Sequence, residues 1–144
     1  MQVSQILKTK GSTVKTVRPG TPVRAVAQAL RSESVGVMVV TDEIGNLKGI
    51  ISERDLARGM ADAGESVFAL TAADLMTANV ITCGPDDMIA GISRIMTQRR
   101  IRHLPVMSGR KLVGLVSIGD VLKHRLDEIQ LEANVLRDVA IAVR

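Results

Sequence analysis

Apolar positions along the chain change period from one segment to the next. Val23, Val26, Ala27 and Leu30 recur at the i, i+3, i+4, i+7 spacing of a helix, with Thr21 as its N-cap and Pro22 in the first helical position. Two short runs follow, Val37-Met38-Val39-Val40 and Leu47 to Ile51, divided by an Asp/Gly/Asn turn, and they predict a β-hairpin. Ser52 then opens another helix. Later in the chain Asp87 caps a helix carrying Ile89, Ile92 and Met96, a second hairpin is predicted from Leu104-Pro105-Val106-Met107 and Leu112 to Val116, and Ser117 opens the last helix. With a short strand heading each set, the order is strand, helix, strand, strand, helix, twice over. This predicts a mixed α/β (α+β) fold in which each half is too thin to cover its own sheet.

The two sets are copies. Thr16 falls on Thr82 and Val17 on Cys83, Val23, Val26 and Leu30 meet Ile89, Ile92 and Met96, and Val35, Met38 and Val40 meet Ile101, Leu104 and Val106. The register slips by one residue in the hairpin turn, where length changes are cheap, and Gly49, Ser52 and Asp55 then land on Gly114, Ser117 and Asp120. Even the leading segments match, Gln5-Ile6-Leu7 with Asp74-Leu75-Met76. The chain is a tandem duplication of a unit of about 65 residues. Its expected divisions are residues 1–70, 71–127 and a helical extension, 128–144.

The best-kept signature is glycine, two aliphatic residues, Ser-x-x-Asp: Gly49 to Asp55 and Gly114 to Asp120. It has two compatible readings. Ser-x-x-Asp ahead of an apolar helix is a capping box, serine accepting a backbone N–H and aspartate reaching back. The preceding glycine permits close approach by another backbone or by a ligand. A helix N-terminus favours phosphate, and an aspartate there can accept hydrogen bonds from a ribose diol.

Composition narrows the chemistry. The net charge of +4 arises from 19 basic and 15 acidic residues, too small a surplus to imply nucleic acid unless concentrated, and it is partly concentrated in Arg99, Arg100, Arg102 and His103. With no Trp or Tyr and one Phe, the stacking platforms of single-strand readers are missing, which counts against nucleic acid. An adenine would lie between aliphatic side chains such as Val14, Val17, Met38, Val80 or Ile81. The chain has no run approaching a membrane span and no targeting segment, so the expectation is a cytoplasmic protein. Cys83 reads as a small buried residue, and His103 and His124 show no metal spacing with it, so no metal is assigned. Walker, dinucleotide and nucleophile-elbow signatures are absent, and neither Ser52 nor Ser117 has a histidine in its motif to act as base; no enzyme is expected.

Two copies of Gly-aliphatic-aliphatic-Ser-x-x-Asp in this strand-helix-strand-strand-helix setting resemble a pair of cystathionine-β-synthase (CBS) domains, the Bateman module, over residues 1–127. The segment from Met96 to Val106 and on to Asp120 is the more typical copy. The resemblance implies a pseudo-twofold unit with two clefts that bind adenosine nucleotides, AMP first, with ATP, NAD(H) or S-adenosylmethionine as alternatives. It implies a regulatory role toward an unknown protein. Carried over by position, Asp55 and Asp120 would hold ribose hydroxyls, Ser52 and Ser117 would lie near ribose or phosphate, and Thr16 and Thr82 would touch the base. Arg102 and His103 would neutralise phosphate, and Arg54 stands inside the first Ser-x-x-Asp. Because Gly36 and Val37 replace Arg102 and His103 in the other copy, the two clefts are expected to differ in charge. Taken alone, the run Arg99 to His103 reads as a solvated face, and a structural unit with vestigial clefts is the alternative reading.

After Asp120 the chain has no Gly or Pro, and Leu122, Leu126, Ile129, Ala133, Leu136, Ala140 and Val143 recur at intervals of four and three. This heptad seam predicts a long helix that seeks a partner helix in a homodimer or folds back on its own module.

Overall fold

The computed structural model describes residues 1–143. Eleven regular elements follow in the order α1 (Val3–Lys10), β1 (Thr16–Val17), α2 (Val23–Glu33), β2 (Val37–Thr41), β3 (Leu47–Ser52), α3 (Glu53–Ala63), α4 (Ala72–Leu75), α5 (Ile89–Arg99), β4 (His103–Ser108), β5 (Lys111–Ser117) and α6 (Ile118–Ala142), with a 3-10 turn at Gly64–Ala69. The fold is mixed α+β. In the first copy β1 pairs in parallel with β2, which pairs antiparallel with β3; in the second, β4 and β5 form the hairpin and the leading strand shrinks to a single parallel bridge, Cys83 to Val106.

The duplication persists in fine detail. Each hairpin breaks register at the same place, Val40/Thr41 and Val106/Met107, and glycines with positive φ, Gly45 and Gly109, make the two turns. Ser34 and Arg100 are equivalent helix C-caps, both left-handed at φ 53°.

The predicted N-caps of the inner helices are displaced. Pro22 and Met88 hold the N-cap positions. Thr21 turns its hydroxyl back to accept the Arg18 N–H at 3.2 Å, and the Asp87 carboxylate accepts the Gly84 N–H at 2.8 Å. Both side chains close the turn before the helix, a local alternative that competes with capping.

Each copy hands its leading segment to the other. Val3 and Ile6 of α1 are buried in a cluster with Ile89, Ile92, Met96 and Leu104 of the second copy. Ala72 of α4 joins the first copy's cluster, with Val26, Leu30, Met38, Val40 and Ile51. Backbone bridges Gln2–Met88 and Thr71–Pro22 stitch the exchange at both ends. Each half thereby gains cover for its sheet from the leading segment of the other.

Ala27, expected on the buried stripe of α2, is exposed. The last helix is long and continuous as predicted, and only its first turns are packed: Val121 is buried, while Leu126 and Leu136 are 65% and 70% exposed. Arg144, the end of the expected extension, lies outside the described residues. No helix among the described residues is long and apolar enough to cross a membrane.

Candidate functional site

Both Ser-x-x-Asp motifs close as capping boxes. The Asp55 N–H donates to Ser52 Oγ at 3.2 Å and the Ser52 N–H to Asp55 Oδ2 at 2.8 Å; at the second copy the corresponding distances are 3.1 Å and 2.9 Å. A cap of this kind contributes about 1 kcal/mol to its helix.

The glycines that precede them serve the chain itself. A β-carbon on Gly49 would stand 2.6 Å from the Met76 sulfur and 2.7 Å from the Thr77 carbonyl oxygen, and one on Gly114 would meet the Leu7 methyl carbons at 2.6 Å and 2.8 Å. Of the two occupants expected there, another part of the chain or a ligand, the chain itself takes the space: Met76 and the Thr77 backbone at Gly49, and Leu7, the equivalent of Met76, at Gly114.

A cleft of about 510 Å³ opens between the copies. Ser52, Arg54 and Asp55 line it from the entrance of α3, and Arg102 and His103 line it from the start of β4. Gly36 and Val37, expected to lie in a separate and differently charged cleft, border this same one. Positions 36–37 and 102–103 are equivalent in the two copies, and both pairs border the space between the copies. Ile50, Val80, Ile81 and Ile101 add apolar wall. Met38, named above as a possible adenine contact, is 2% exposed and belongs to the core instead. Among the polar cleft residues, Glu53, Thr77, Asn79 and Arg58, one helical turn beyond Arg54 on α3, carried no sequence assignment, and Arg100 was visible only as part of a charge run.

The remaining expected residues lie elsewhere. Thr16 lines a second cleft of about 730 Å³ with Arg18, Thr41, Asn46, Arg110 and Lys111, near the hairpin turns. Thr82 is exposed and, with Ser117 and Asp120, borders neither cleft. Asp120 is already engaged, because Lys10 Nζ donates to its Oδ2 at 2.6 Å and to the Leu115 carbonyl at 2.8 Å. No signal in the sequence joins Lys10 to a residue so distant along the chain.

These contacts set the charges. Burial pushes the Asp120 carboxyl up, but the hydrogen bonds from Lys10 and from the Ser117 N–H outweigh it and hold it below the ordinary carboxylate value. His103 moves down from its ordinary value, first by burial and then by the nearby Lys10, against a smaller opposing pull from Asp120, so at neutral pH the imidazole is uncharged. Positive charge in the cleft is therefore carried by arginine. Cys83 is buried, and burial together with Asp87 raises its thiol to about 12, which leaves it protonated and inert. Among the described residues no three His, Cys, Asp or Glu side chains gather as a metal site would require.

Comparison with known proteins places this geometry. The family model for the CBS domain matches residues 3–62 and 72–127, one match per copy. The mitochondrial CBS domain-containing protein CBSX3 of Arabidopsis thaliana is 32% identical over 134 residues, which is 88% of this chain and 65%, just under two thirds, of the plant protein's own length. A CBS-domain containing protein from Agrobacterium tumefaciens superposes with a TM-score of 0.83 at 37% identity, over 87% of this chain and 99% of that one. The CBS domain pair of protein MJ0100, solved in complex with 5′-methylthioadenosine and S-adenosyl-L-methionine, superposes with a TM-score of 0.78 at 26% identity, over 89% and 98%.

Proposed function

Because the chain belongs to the CBS-domain family, as a tandem pair, we propose that it is a regulatory module that binds an adenosine nucleotide in the cleft between its copies and passes the occupancy to another protein. Pairs of this family are typically regulatory or signalling modules rather than enzymes. One observation carries the ligand class: the N-terminus of α3, with its Ser52–Asp55 box, faces Arg102 and His103 of the other copy across a cleft of about 510 Å³. A helix N-terminus and a guanidinium favour phosphate, a carboxylate accepts from ribose hydroxyls, and aliphatic walls suit a purine. The adenosine-bearing ligands of the MJ0100 pair support the same class, within which AMP, ATP, NAD(H) and S-adenosylmethionine are the candidates. Native mass spectrometry of the purified chain, followed by calorimetric titration with these four compounds, tests it. Saturable binding of at least one adenosine compound is expected; no binding of any would overturn the proposal.

A structural role for the second half of the motif pair is favoured by one contact. The carboxylate of Asp120 is closed by Lys10, so a ligand using Asp120 must first displace the Lys10 side chain from it.

The assembly we propose is a homodimer through α6. Leu122, Leu126, Ile129 and Leu136 are all more than half exposed, and Val135 and Val139 widen the stripe on one side. With Leu126, Ala133 and Ala140 at a positions, Glu132 falls at g and Arg137 at the e position that a parallel partner presents to it. A second copy in parallel supplies that opposite charge twice; an antiparallel partner does not.

A further inference from the structure

Four arginines border the cleft, two from each copy: Arg54 and Arg58 on α3, and Arg100 and Arg102 in the passage from α5 to β4. Arg54 and Arg58 are four residues apart and share a helix face. Among the described residues none of the four joins an ion pair. The carboxylates on the same wall are Glu53 and Asp55, and Asp55 is turned to the Ser52 N–H at 2.8 Å and its hydroxyl at 3.0 Å. Like charges converging in a concave site concentrate potential for an anion. A solvated face would not need guanidiniums from two different repeats to share one cleft.

The count of guanidiniums exceeds what one phosphate requires. A single phosphate set against Arg102 at the start of β4 is answered by that side chain and its close neighbours, since one guanidinium already holds it bidentately. Arg54 and Arg58 then remain on the opposite wall, beside Glu53 and Asp55 but in an ion pair with neither. A second, linked phosphate would give those two guanidiniums an anionic partner.

We propose that the cleft prefers nucleotides carrying a pyrophosphate linkage over nucleoside monophosphates, one phosphate set against Arg102 and Arg100 and the next against Arg54 and Arg58; this rests on the adenosine-nucleotide reading above. Such a ligand ties α3 of the first copy to the α5–β4 passage of the second. Its second phosphate therefore adds a charged contact on α3 to the ribose contact that any adenosine nucleotide makes at Asp55.

Calorimetric titration of the full chain with AMP and ADP at fixed ionic strength tests the preference. ADP is expected to bind at least about tenfold more tightly than AMP, the gain of a charge-assisted contact. Arg58→Ala, on an exposed helical face where folding is readily checked by circular dichroism, is expected to lower ADP affinity about tenfold and to leave AMP affinity within about twofold. Equal affinities for AMP and ADP, or equal losses of both in Arg58→Ala, would overturn the pyrophosphate preference and leave the nucleotide reading standing. Binding of neither AMP nor ADP would overturn the pyrophosphate preference, and it would take the nucleotide reading with it if ATP, NAD(H) and S-adenosylmethionine also fail to bind.

Discussion

The carbonyl oxygen of Thr77 lies 2.7 Å from the point where a β-carbon on Gly49 would stand. That carbonyl also accepts the Ile50 N–H at 3.0 Å while the Thr77 N–H donates to the Ile50 carbonyl at 2.9 Å, so it cannot retreat without breaking a paired bridge. At Gly114 the three nearest atoms all belong to the end of the Leu7 side chain. The two glycines occupy equivalent positions and face different obstacles.

Gly49→Ala is therefore expected to destabilise the fold by about 1–3 kcal/mol, the usual cost of overpacking against a fixed group. Gly114→Ala is expected to cost clearly less, since Leu7 can change rotamer. Urea unfolding of the two variants checks the order; equal losses would show that the Thr77 bridge yields as readily as a leucine side chain.

Much of this was legible in the sequence because it is local or repeated. Capping boxes, hairpins and the length of α6 depend on residues a few positions apart, and duplication reinforced each with a second copy. What was not legible depends on distant pairing. Gly49 promised close approach without saying that Met76 would make it, and nothing near Lys10 or Asp120 announced their ion pair. The sharing of one cleft by Arg102, His103, Gly36 and Val37 follows from how the halves face each other, which no periodicity encodes. Thr21 and Asp87 misled because threonine and aspartate close turns as readily as they cap helices.

Asp55→Ala is expected to weaken adenosine-nucleotide binding about tenfold to a hundredfold, the loss of a hydrogen bond involving a charged group. Asp120→Ala is expected to change it much less, since Asp120 borders neither cleft and is held by Lys10. Titration of both variants, with 2′-deoxyadenosine nucleotides against the wild type, separates ribose contact from fold damage: the deoxy compounds should bind the wild type worse and Asp55→Ala equally. Undiminished affinity in Asp55→Ala would remove the ribose assignment.

The pH dependence follows from His103. In the free protein its value lies below the ordinary 6.5, burial being the first cause, and a bound phosphate must raise it. Binding then takes up a proton, so affinity strengthens as pH falls through the bound-state value and levels off below the free-state one. Dissociation constants measured from pH 8 to pH 5.5 should show this trend, and His103→Gln should flatten it after the ligand's own ionisation is subtracted. A wild-type profile identical to that of His103→Gln would place His103 away from the phosphate.

Acid should loosen α1. The Asp120 carboxyl is depressed in the folded state, so its contribution is present above its unfolded value, near 3.8, and is lost as pH falls through the lower folded value. Amide exchange in α1 should rise across that range in the wild type, and Lys10→Met should show the faster exchange already at neutral pH. Unchanged exchange in Lys10→Met would mean that Leu7, Val3 and Ile6 alone hold the helix.

Sedimentation tests the assembly. The full chain is expected to be dimeric at tens of micromolar and a chain ending at Leu126 to be monomeric, while Glu132→Lys weakens the dimer and adding Arg137→Glu restores it. A monomeric full chain, or a truncated chain that stays fully dimeric, would take the seam out of the assembly.

The most direct test of the account is a crystal structure of the full chain grown with ADP. The nucleotide is expected between α3 and the start of β4, its ribose against Ser52 and Asp55 and its phosphates between Arg54, Arg58, Arg100 and Arg102. ADP seated instead in the cleft of Thr16, Arg110 and Lys111, or an empty cleft at saturating ADP, would contradict it.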